Sequence, residues 1–387
     1  MKLKDLGTIF TGNTPKKSDK LNYNSNDICF VKPSDISEKE ITHINHTEYY
    51  IANHAYNSAR LAPKNSILVT CIGIIGKIAI LEKECAFNQQ INAIIPNEKK
   101  IIPYYLAYAL KYKKKSMQDK ANAPVVPIIN KTEFSEINIK VPSLEKQKKI
   151  VNILIKIDKI INWRFQQLNK LNQLVSSLFI EMFNDPIKNN MNWEVKKLKD
   201  LCLKIGSGAT PKGGQSVYID KGTSFIRSMN VYNGYFKYNG LAHINENHAQ
   251  QLENVSLKEN DILLNITGAS VARSCIVPKN LLPARVNQHV ALIRVNKEKI
   301  NPIFLNHVFI TDSFQKYLLN ISASNGATRQ AITKQQIEEL NIIVPSSKLV
   351  DLYVKKVQQI DKSKLAIQQS LEQLETLKKS LMQEYFC

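Results

Sequence analysis

The chain has 387 residues, which is long enough for about two or three domains. Hydrophobic residues make up 43% of it, a proportion typical of globular proteins. Its 53 Lys and Arg outnumber 33 Asp and Glu, and the net charge of +20 favours a polyanionic partner, most often nucleic acid. No apolar run could cross a bilayer, no secretory signal is visible, and the six cysteines form no CxxC pair. We therefore expect a cytoplasmic protein without a disulfide framework or a zinc module.

One phrase occurs twice in the chain. KLKDLGTIFTGNTP begins at Lys2, and KLKDLCLKIGSGATP begins at Lys197. Further matches follow in the same order, ending with IKVPS from Ile139 against IIVPS from Ile342. The offset drifts from 195 to 203 residues, as small loop insertions would make it. The sequence therefore predicts tandem copies of one fold, each about 190 residues long.

Each predicted copy begins with short β-prone runs, broken by Gly, Asn and Pro and mixed with a few helical patches, which indicates a compact α+β domain. A long helix follows. After Ser143, a suitable N-cap, apolar residues recur at steps of four and three over 150–182, and again over 353–385. Lys364 and Lys378 interrupt the second stripe and must snorkel from it or flank it. We expect the helices to pair antiparallel; the alternative is that each folds back on its own domain.

Several motifs resemble those of type I restriction–modification specificity subunits, and the resemblance covers essentially the whole chain. They are VPSLEKQKKIVNIL ahead of the first long helix, the openings GNTP and GATP, the turns GIIGK and GASVAR, and the stretch GATRQAITKQQIEELNIIVP. The second helix departs from the pattern with VPSSKLVDLYV, which lacks the Glu-x-Gln of the first. The first copy also has NAPVVPIINK where the second has NGATRQAITK.

The resemblance implies an α+β fold with a pseudo-two-fold internal repeat, in which a pair of long antiparallel coiled-coil helices separates tandem target-recognition domains. The expected segments are recognition domain 1 at 1–144, a central helical region at 145–185, a linker with recognition domain 2 at 186–347, and a C-terminal helical region at 348–387. Each domain would bind one half of a split double-stranded DNA target, and the helices would set the separation. They would also bind two methyltransferase subunits that modify adenine N6 with S-adenosylmethionine, with a restriction/translocase subunit as a further partner.

The residues themselves indicate that this chain is not the catalyst and holds no cofactor. It has no Asn/Asp-Pro-Pro-aromatic motif, no strand–GxG–helix loop and no GxxxxGK[ST] loop. Its seven His do not gather with Cys or carboxylates at the spacing of metal ligands. These absences disfavour one alternative, a self-contained nucleic-acid-modifying enzyme.

The other alternative is a basic coiled-coil scaffold that binds only proteins. Charge placement separates it from a DNA-binding adaptor. Residues 1–144 carry 20 Lys and Arg against 13 Asp and Glu, and residues 196–347 carry 18 against 10. The excess therefore lies mainly in the predicted globular domains, where the adaptor needs it.

Comparison of the copies sorts the candidate DNA contacts. Residues shared by both copies cannot encode a difference between half-sites, so they should hold the fold or grip phosphate. Base readers should lie where polar loops diverge: 16–20 against 212–216, 32–35 against 227–230, and 122–130 against 325–333. The shared candidates are Lys77, Asn88, Gln89, Lys131, Arg273, Asn287, Gln288 and Lys334. The divergent candidates are Lys16, Lys17, Lys20, Lys32, Lys212, Gln215, Arg227, Asn230, Arg329 and Gln330.

Overall fold

The computed structural model describes residues 1–121, 126–323 and 330–387. The chain folds as two compact units. The first unit contains Met1–Phe165 and Gln368–Cys387, and the second contains Gln166–Ile367. Each unit holds one β-rich domain and a segment of each long helix. Within the described ranges, no helix is long and apolar enough to span a membrane.

The β-rich domain of the first unit is built on a mixed sheet whose strands lie in the order Gly7–Thr11, Ile91–Pro96, Ile67–Thr70, Ile78–Leu81 and Thr42–Ile44. A second sheet has the order Tyr50–Ile51, Ile28–Val31, Cys85–Phe87 and Leu61–Ala62. The α-helices of this domain are Pro103–Tyr112, Lys114–Lys120 and Lys131–Ser135. The apolar run that forms the middle strand of the first sheet is buried along its whole length, as expected of a strand covered on both faces.

The second unit repeats this plan. Its main sheet has the order Cys202–Ser207, Val290–Val295, Ile262–Asn265 and Ser274–Ile276, and another has the order Ala242–Ile244, Thr223–Ile226 and Ala284–Val286. Smaller pairs join Glu194–Lys197 to Asn341–Val344 and Val231–Tyr232 to Tyr235–Phe236. The α-helices are Leu198–Leu201, Glu246–Gln251, Pro302–Ile310, Asp312–Ala323 and Lys334–Glu338.

A close backbone crossing shows that the copies share one fold. A Cβ added to Gly12 would lie 2.3 Å from the carbonyl oxygen of Phe87, and one added to Gly208 would lie 2.1 Å from that of Val286. Only glycine fits such a crossing without moving backbone. The repeated GNTP and GATP phrases therefore mark the same structural feature, and the tandem repeat predicted from the sequence is confirmed.

The long helices run over Leu144–Phe183, here called the central helix, and Ser347–Phe386, here called the C-terminal helix. Every seam position predicted for them is buried or half-buried. Asp158 pairs with Lys378 in the first unit, and Phe183 packs on Tyr353 in the second, with ring centroids 5.2 Å apart. In the first unit, Lys140, just ahead of the central helix, also donates through Nζ to Cys387 O at 3.1 Å. Residue numbers thus rise on one helix as they fall on the other within this unit, so its helical segments pair antiparallel.

Candidate nucleic-acid interface

In each unit, two neighbouring parallel strands end side by side, and polar residues follow both ends. In the first unit, residues 30–31 pair with 86–87, and the Asn88 amide donates to the carbonyl of Val31 at 3.1 Å. In the second unit, residues 225–226 pair with 285–286 in the same way. The carboxyl ends of adjacent parallel strands share one edge of a sheet, so the polar segments that follow them start close together.

Hydrogen bonds gather the other predicted loops of the first unit around this edge. The amide of Asn13 donates to Phe87 O at 3.0 Å, and Thr14 Oγ1 donates to Gln89 Oε1 at 2.7 Å. The amide of Cys71 donates to Gln90 O at 2.8 Å. The turn after it is joined to the last loop by a 3.0 Å bond from the Gly73 amide to Pro127 O. We call the surface formed by residues 12–20, 32–35, 71–77, 88–90 and 126–131 the first loop face.

The second unit assembles the corresponding loops with equivalent bonds. The amide of Ala209 donates to Val286 O at 3.0 Å, and the amide of Ile266 donates to His289 O at 3.0 Å. The amide of Gly268 donates to Gln330 O at 3.1 Å. We call the surface formed by residues 208–216, 227–230, 266–273, 287–289 and 330–334 the second loop face. Segments that are far apart in sequence thus meet in both units, as a DNA-reading surface requires.

Two equivalent cations lie against tyrosine rings. Lys32 Nζ is 2.9 Å from the centroid of the Tyr49 ring, and Arg227 Cζ is 5.3 Å from that of Tyr218. Arg227 Nη2 also donates to the carbonyl of Gly240 at 2.5 Å. Cation–π contact restrains each head group at the edge where the parallel strands end. Neither tyrosine was predicted as a site residue, because each lies in a loop with no periodic pattern to connect it to its cation.

A second pair of equivalent cations has diverged further. In the first unit, Lys77 Nζ donates to the carbonyl of Pro33 at 2.9 Å. In the second unit, Arg273 lies over Tyr232 instead, with its Cζ 4.6 Å from the ring centroid. The turns that carry the cations occupy equivalent places in the repeat, but the second is one residue longer and the chemical groups they present are different.

The family model for the type I restriction modification DNA specificity domain matches residues 1–173 and 190–376. The chain belongs to this family. It is 26% identical to the type I restriction enzyme MjaIX specificity subunit of Methanocaldococcus jannaschii, over 98% of this chain and 90% of that protein. It is 32% identical to the HindI specificity subunit of Haemophilus influenzae over 44% of this chain and 38% of that protein. The resemblance found in the sequence motifs is therefore confirmed.

Solved structures show the same fold at low sequence identity. The S subunit of a type I restriction–modification system from M. genitalium has a TM-score of 0.60 to this chain at 14% identity. That comparison covers 100% of this chain and 95% of the other. A chain from a study of type I complex assembly and conformational transition has a TM-score of 0.58 at 15% identity, over 100% and 96% of the two chains.

Most of the residues predicted to contact DNA in this specificity subunit have exposed side chains. The half-buried ones are Lys32, Lys77, Arg227 and Arg273. Those exposed are Lys16, Lys17, Lys20, Gln89, Lys131, Lys212, Gln215, Gln288, Gln330 and Lys334. Arg329 lies outside the described residues. Direct DNA contact by these side chains stays a prediction.

Burial argues against base contact by three predicted asparagines. Asn88 Oδ1 accepts from the Gln90 amide at 3.1 Å, and Asn287 Oδ1 accepts from the His289 amide at 3.2 Å. Asn230 is fully buried, with Oδ1 accepting from the Arg227 amide and Nδ2 donating to Lys237 O. These side chains shape the loops, because a short amide can satisfy nearby backbone groups that would otherwise be buried without partners.

No group of three His, Cys, Asp or Glu residues that could hold a metal is found among the described residues. A half-buried polar cluster on the long helices of the first unit is held together by a hydrogen bond and an ion pair. Asp158 accepts a 2.7 Å hydrogen bond from Tyr108 Oη and pairs with Lys378 Nζ. Burial and this carboxylate raise the pKa of Tyr108 far above its usual value, so the phenol stays protonated and remains a donor.

Proposed function

We propose that this chain selects the DNA target of a type I restriction–modification complex, with each loop face reading one half of a two-part sequence. The observation that carries the proposal is the contrast between the copies. They share the glycine crossing and the strand pairing that build the face, yet they differ in the cations that project from it. A repeat that keeps its scaffold and changes its reading groups suits two different half-sites.

The contrast also suggests how the side chains divide the work. Lys131 and Lys334 are identical, exposed, and each is the first residue of a helix that begins with a capping box. Phosphate contacts carry no sequence information, so we assign these lysines to phosphate. Lys32 and Arg227 occupy one position with different head groups. We assign them to bases, because arginine can contact guanine through two hydrogen bonds while lysine acts as a point charge.

The finer proposal concerns the partners. We infer that two methyltransferase subunits dock on the long helices, that S-adenosylmethionine binds those subunits and not this chain, and that a restriction/translocase subunit can join the complex. Exposed apolar residues on the helices support docking, because large side chains such as Trp163, at 60% exposure, are otherwise unfavourable in water. Ile153, Phe165 and Leu377 are further exposed examples in the first unit, as Leu174, Ile180, Leu352 and Leu365 are in the second.

The decisive experiment is to express the chain with its cognate modification subunit and to map methylated adenines by long-read sequencing. We expect a two-part motif with a fixed gap. We also expect no transfer of label from S-adenosylmethionine by the chain alone. A contiguous motif would contradict reading by two faces, and methylation by the chain alone would contradict its non-catalytic role.

A matched pair of variants tests where the DNA binds. Lys16→Ala with Lys17→Ala removes two exposed charges from the first loop face. Lys64→Ala with Lys99→Ala removes two exposed charges from the other end of the main sheet of the first unit. The strand Ile91–Pro96 starts at the first loop face and runs away from it, so Lys99, which follows this strand, and Lys64, which precedes its neighbour, lie at the far end. We expect only the first pair to weaken DNA binding strongly. Equal weakening by both pairs would indicate general charge attraction without a defined face.

A further inference from the structure

The second unit has a hairpin that its counterpart lacks. Val231–Tyr232 pairs with Tyr235–Phe236 around the turn Asn233-Gly234, where Gly234 has a φ of +79°. The corresponding residues 36–41, all within the described part of the first unit, form bends and no strand. The hairpin follows directly after Asn230, so it extends the second loop face.

The hairpin is fixed beside Arg273. Its Gly234 amide donates to Ser274 O at 2.9 Å, and Asn233 Oδ1 accepts from the Ser274 amide at 3.1 Å. Asn233 Nδ2 donates to Gln315 Oε1 at 3.0 Å. The turn of the hairpin is therefore bonded to the residue that follows the arginine, and its position relative to the arginine backbone is set.

Arg273 lies over one of two stacked tyrosines of the hairpin. The rings of Tyr232 and Tyr235 are a cross-strand pair, stacked with centroids 5.1 Å apart and an interplanar angle of 21°. Arg273 Cζ lies 4.6 Å from the centroid of Tyr232, and Lys237 Nζ lies 5.5 Å from the same centroid. A guanidinium stacked on a ring keeps its donors at the rim of the plane, where a ligand can reach them.

The carbonyl that holds Lys77 in the first unit has a different partner in the second. Ser228 takes the place of Pro33, and its carbonyl accepts a 2.9 Å hydrogen bond from Asn265 Nδ2. No hydrogen bond from the Arg273 guanidinium to another described residue is found. The second copy has thus exchanged a lysine bonded to backbone for an arginine supported on a ring.

We propose that Tyr232 is a positioning residue that holds Arg273 for a bidentate contact with a guanine in the half-site read by the second loop face. Guanine O6 and N7 match two donors of one guanidinium edge, and the ring support reduces the freedom lost on contact. A phosphate grip needs no such support and should be common to both copies. The inference rests on the proposed function, and it replaces the phosphate contact suggested for Arg273 by the sequence comparison.

The test uses the full chain co-expressed with its cognate modification subunit, with methylated adenines mapped by long-read sequencing. Tyr232→Phe should keep the wild-type motif, because the ring face remains. Tyr232→Leu and Arg273→Lys should each lower the preference for one guanine by about 10-fold or more, with the other half-site unchanged. The salt dependence of binding should stay the same in all three, since no charge is lost. Lys77→Arg is the matched control and should leave both half-sites unchanged.

Two results would overturn the inference. One is an unchanged motif in Arg273→Lys together with a salt slope that falls by about one unit in Arg273→Ala, which would identify a phosphate contact. The other is a motif relaxed equally by Tyr232→Phe and Tyr232→Leu, which would assign the effect to the hydroxyl. If Tyr232→Leu does not fold, Arg273→Lys still decides. A wild-type complex with no two-part motif would instead contradict the proposed function.

Discussion

Phe183 anchors the end of the central helix in the second unit, and its replacement by alanine gives a sharp test of what holds that unit together. Its side chain is fully buried. Its ring centroid lies 4.9 Å from that of Phe304 and 5.2 Å from those of Phe179 and Tyr353. Alanine would therefore leave a cavity among three other rings.

The expected loss follows from these contacts. Replacing a buried phenylalanine by alanine costs about 3–5 kcal/mol of unfolding free energy, and each aromatic pair contributes about 0.5–1.5 kcal/mol beyond simple burial. Three ring contacts are lost together, so we expect about 4–5 kcal/mol for Phe183→Ala. Ile180→Ala, on the same helix and in the same unit but 45% exposed, should change stability by about 0.5 kcal/mol or less.

The chain offers a local reporter for this measurement. It has two tryptophans, and Trp193 Nε1 donates to the carbonyl of Phe183 at 3.2 Å. A Trp163→Phe background removes the tryptophan of the first unit and leaves Trp193, in the second unit, as the only tryptophan of the chain. Denaturant unfolding followed by Trp193 emission then gives the free energy of unfolding for wild type and variants. A loss below about 2 kcal/mol, or equal losses at positions 180 and 183, would refute the aromatic cluster as the anchor.

Three further predictions concern charge. Lys131→Ala should reduce the slope of log K against log salt by about 0.9 while leaving the methylation motif unchanged, which binding titrations and motif mapping would check. Lys378→Met should destabilise the first unit by about 1–2 kcal/mol because half-buried Asp158 loses its cation, and adding Asp158→Asn should recover most of the loss in a double-mutant cycle; no recovery would refute the pairing. Burial and the charge of Lys364 lower the pKa of His307 from 6.5 to about 4, so the unfolded chain binds more protons between these pH values. Stability should therefore fall by about 3 kcal/mol from pH 6.5 to 4, and His307→Asn, which keeps a hydrogen-bonding partner for Tyr353 Oη, should remove most of that difference.

The helices were the most predictable part of the fold, because a seam repeated every seven residues leaves few arrangements that bury it. The two lysines that interrupt the seam show how such a pattern tolerates charge. Lys378 pairs with Asp158 across the helices, and Lys364 Nζ lies 3.1 Å from Asp361 Oδ1 on its own helix. Both stay half-buried, in agreement with the expectation that they snorkel or flank the stripe.

The loop faces were predictable in outline only. The repeat showed which segments correspond, and the structure brings those segments together in both units. The exposure of individual side chains did not follow from polarity. Asn88 and Asn287 are polar residues just after parallel strands, yet both are buried because their amides serve the backbone of the next residues. Such local bonding depends on loop conformation, which residue type alone does not determine.

The contacts of the cations could not be predicted, because they depend on residues distant in sequence. Lys32 meets Tyr49 seventeen positions later, and Arg273 meets Tyr232 forty-one positions earlier. No spacing rule connects such pairs, since each arises from the way separate loops meet at the sheet edge. The hairpin that brings Tyr232 to Arg273 replaces bends of the same length in the other copy, so comparison of the aligned sequences does not reveal it.

The structure explains how one fold can serve two readers. The bonds that build each loop face run mainly between backbone groups, such as the Asn13 amide to Phe87 O and the Ala209 amide to Val286 O. Bonds of this kind are indifferent to most side chains, so reading groups at the surface can change while the face keeps its shape. Lys32 and Arg227 are such a change, since each follows the same parallel strand in its own unit and lies on a different tyrosine. Substitution at these positions should therefore alter the recognised sequence at little cost in folding stability, which is the condition under which a duplicated domain can acquire a second half-site.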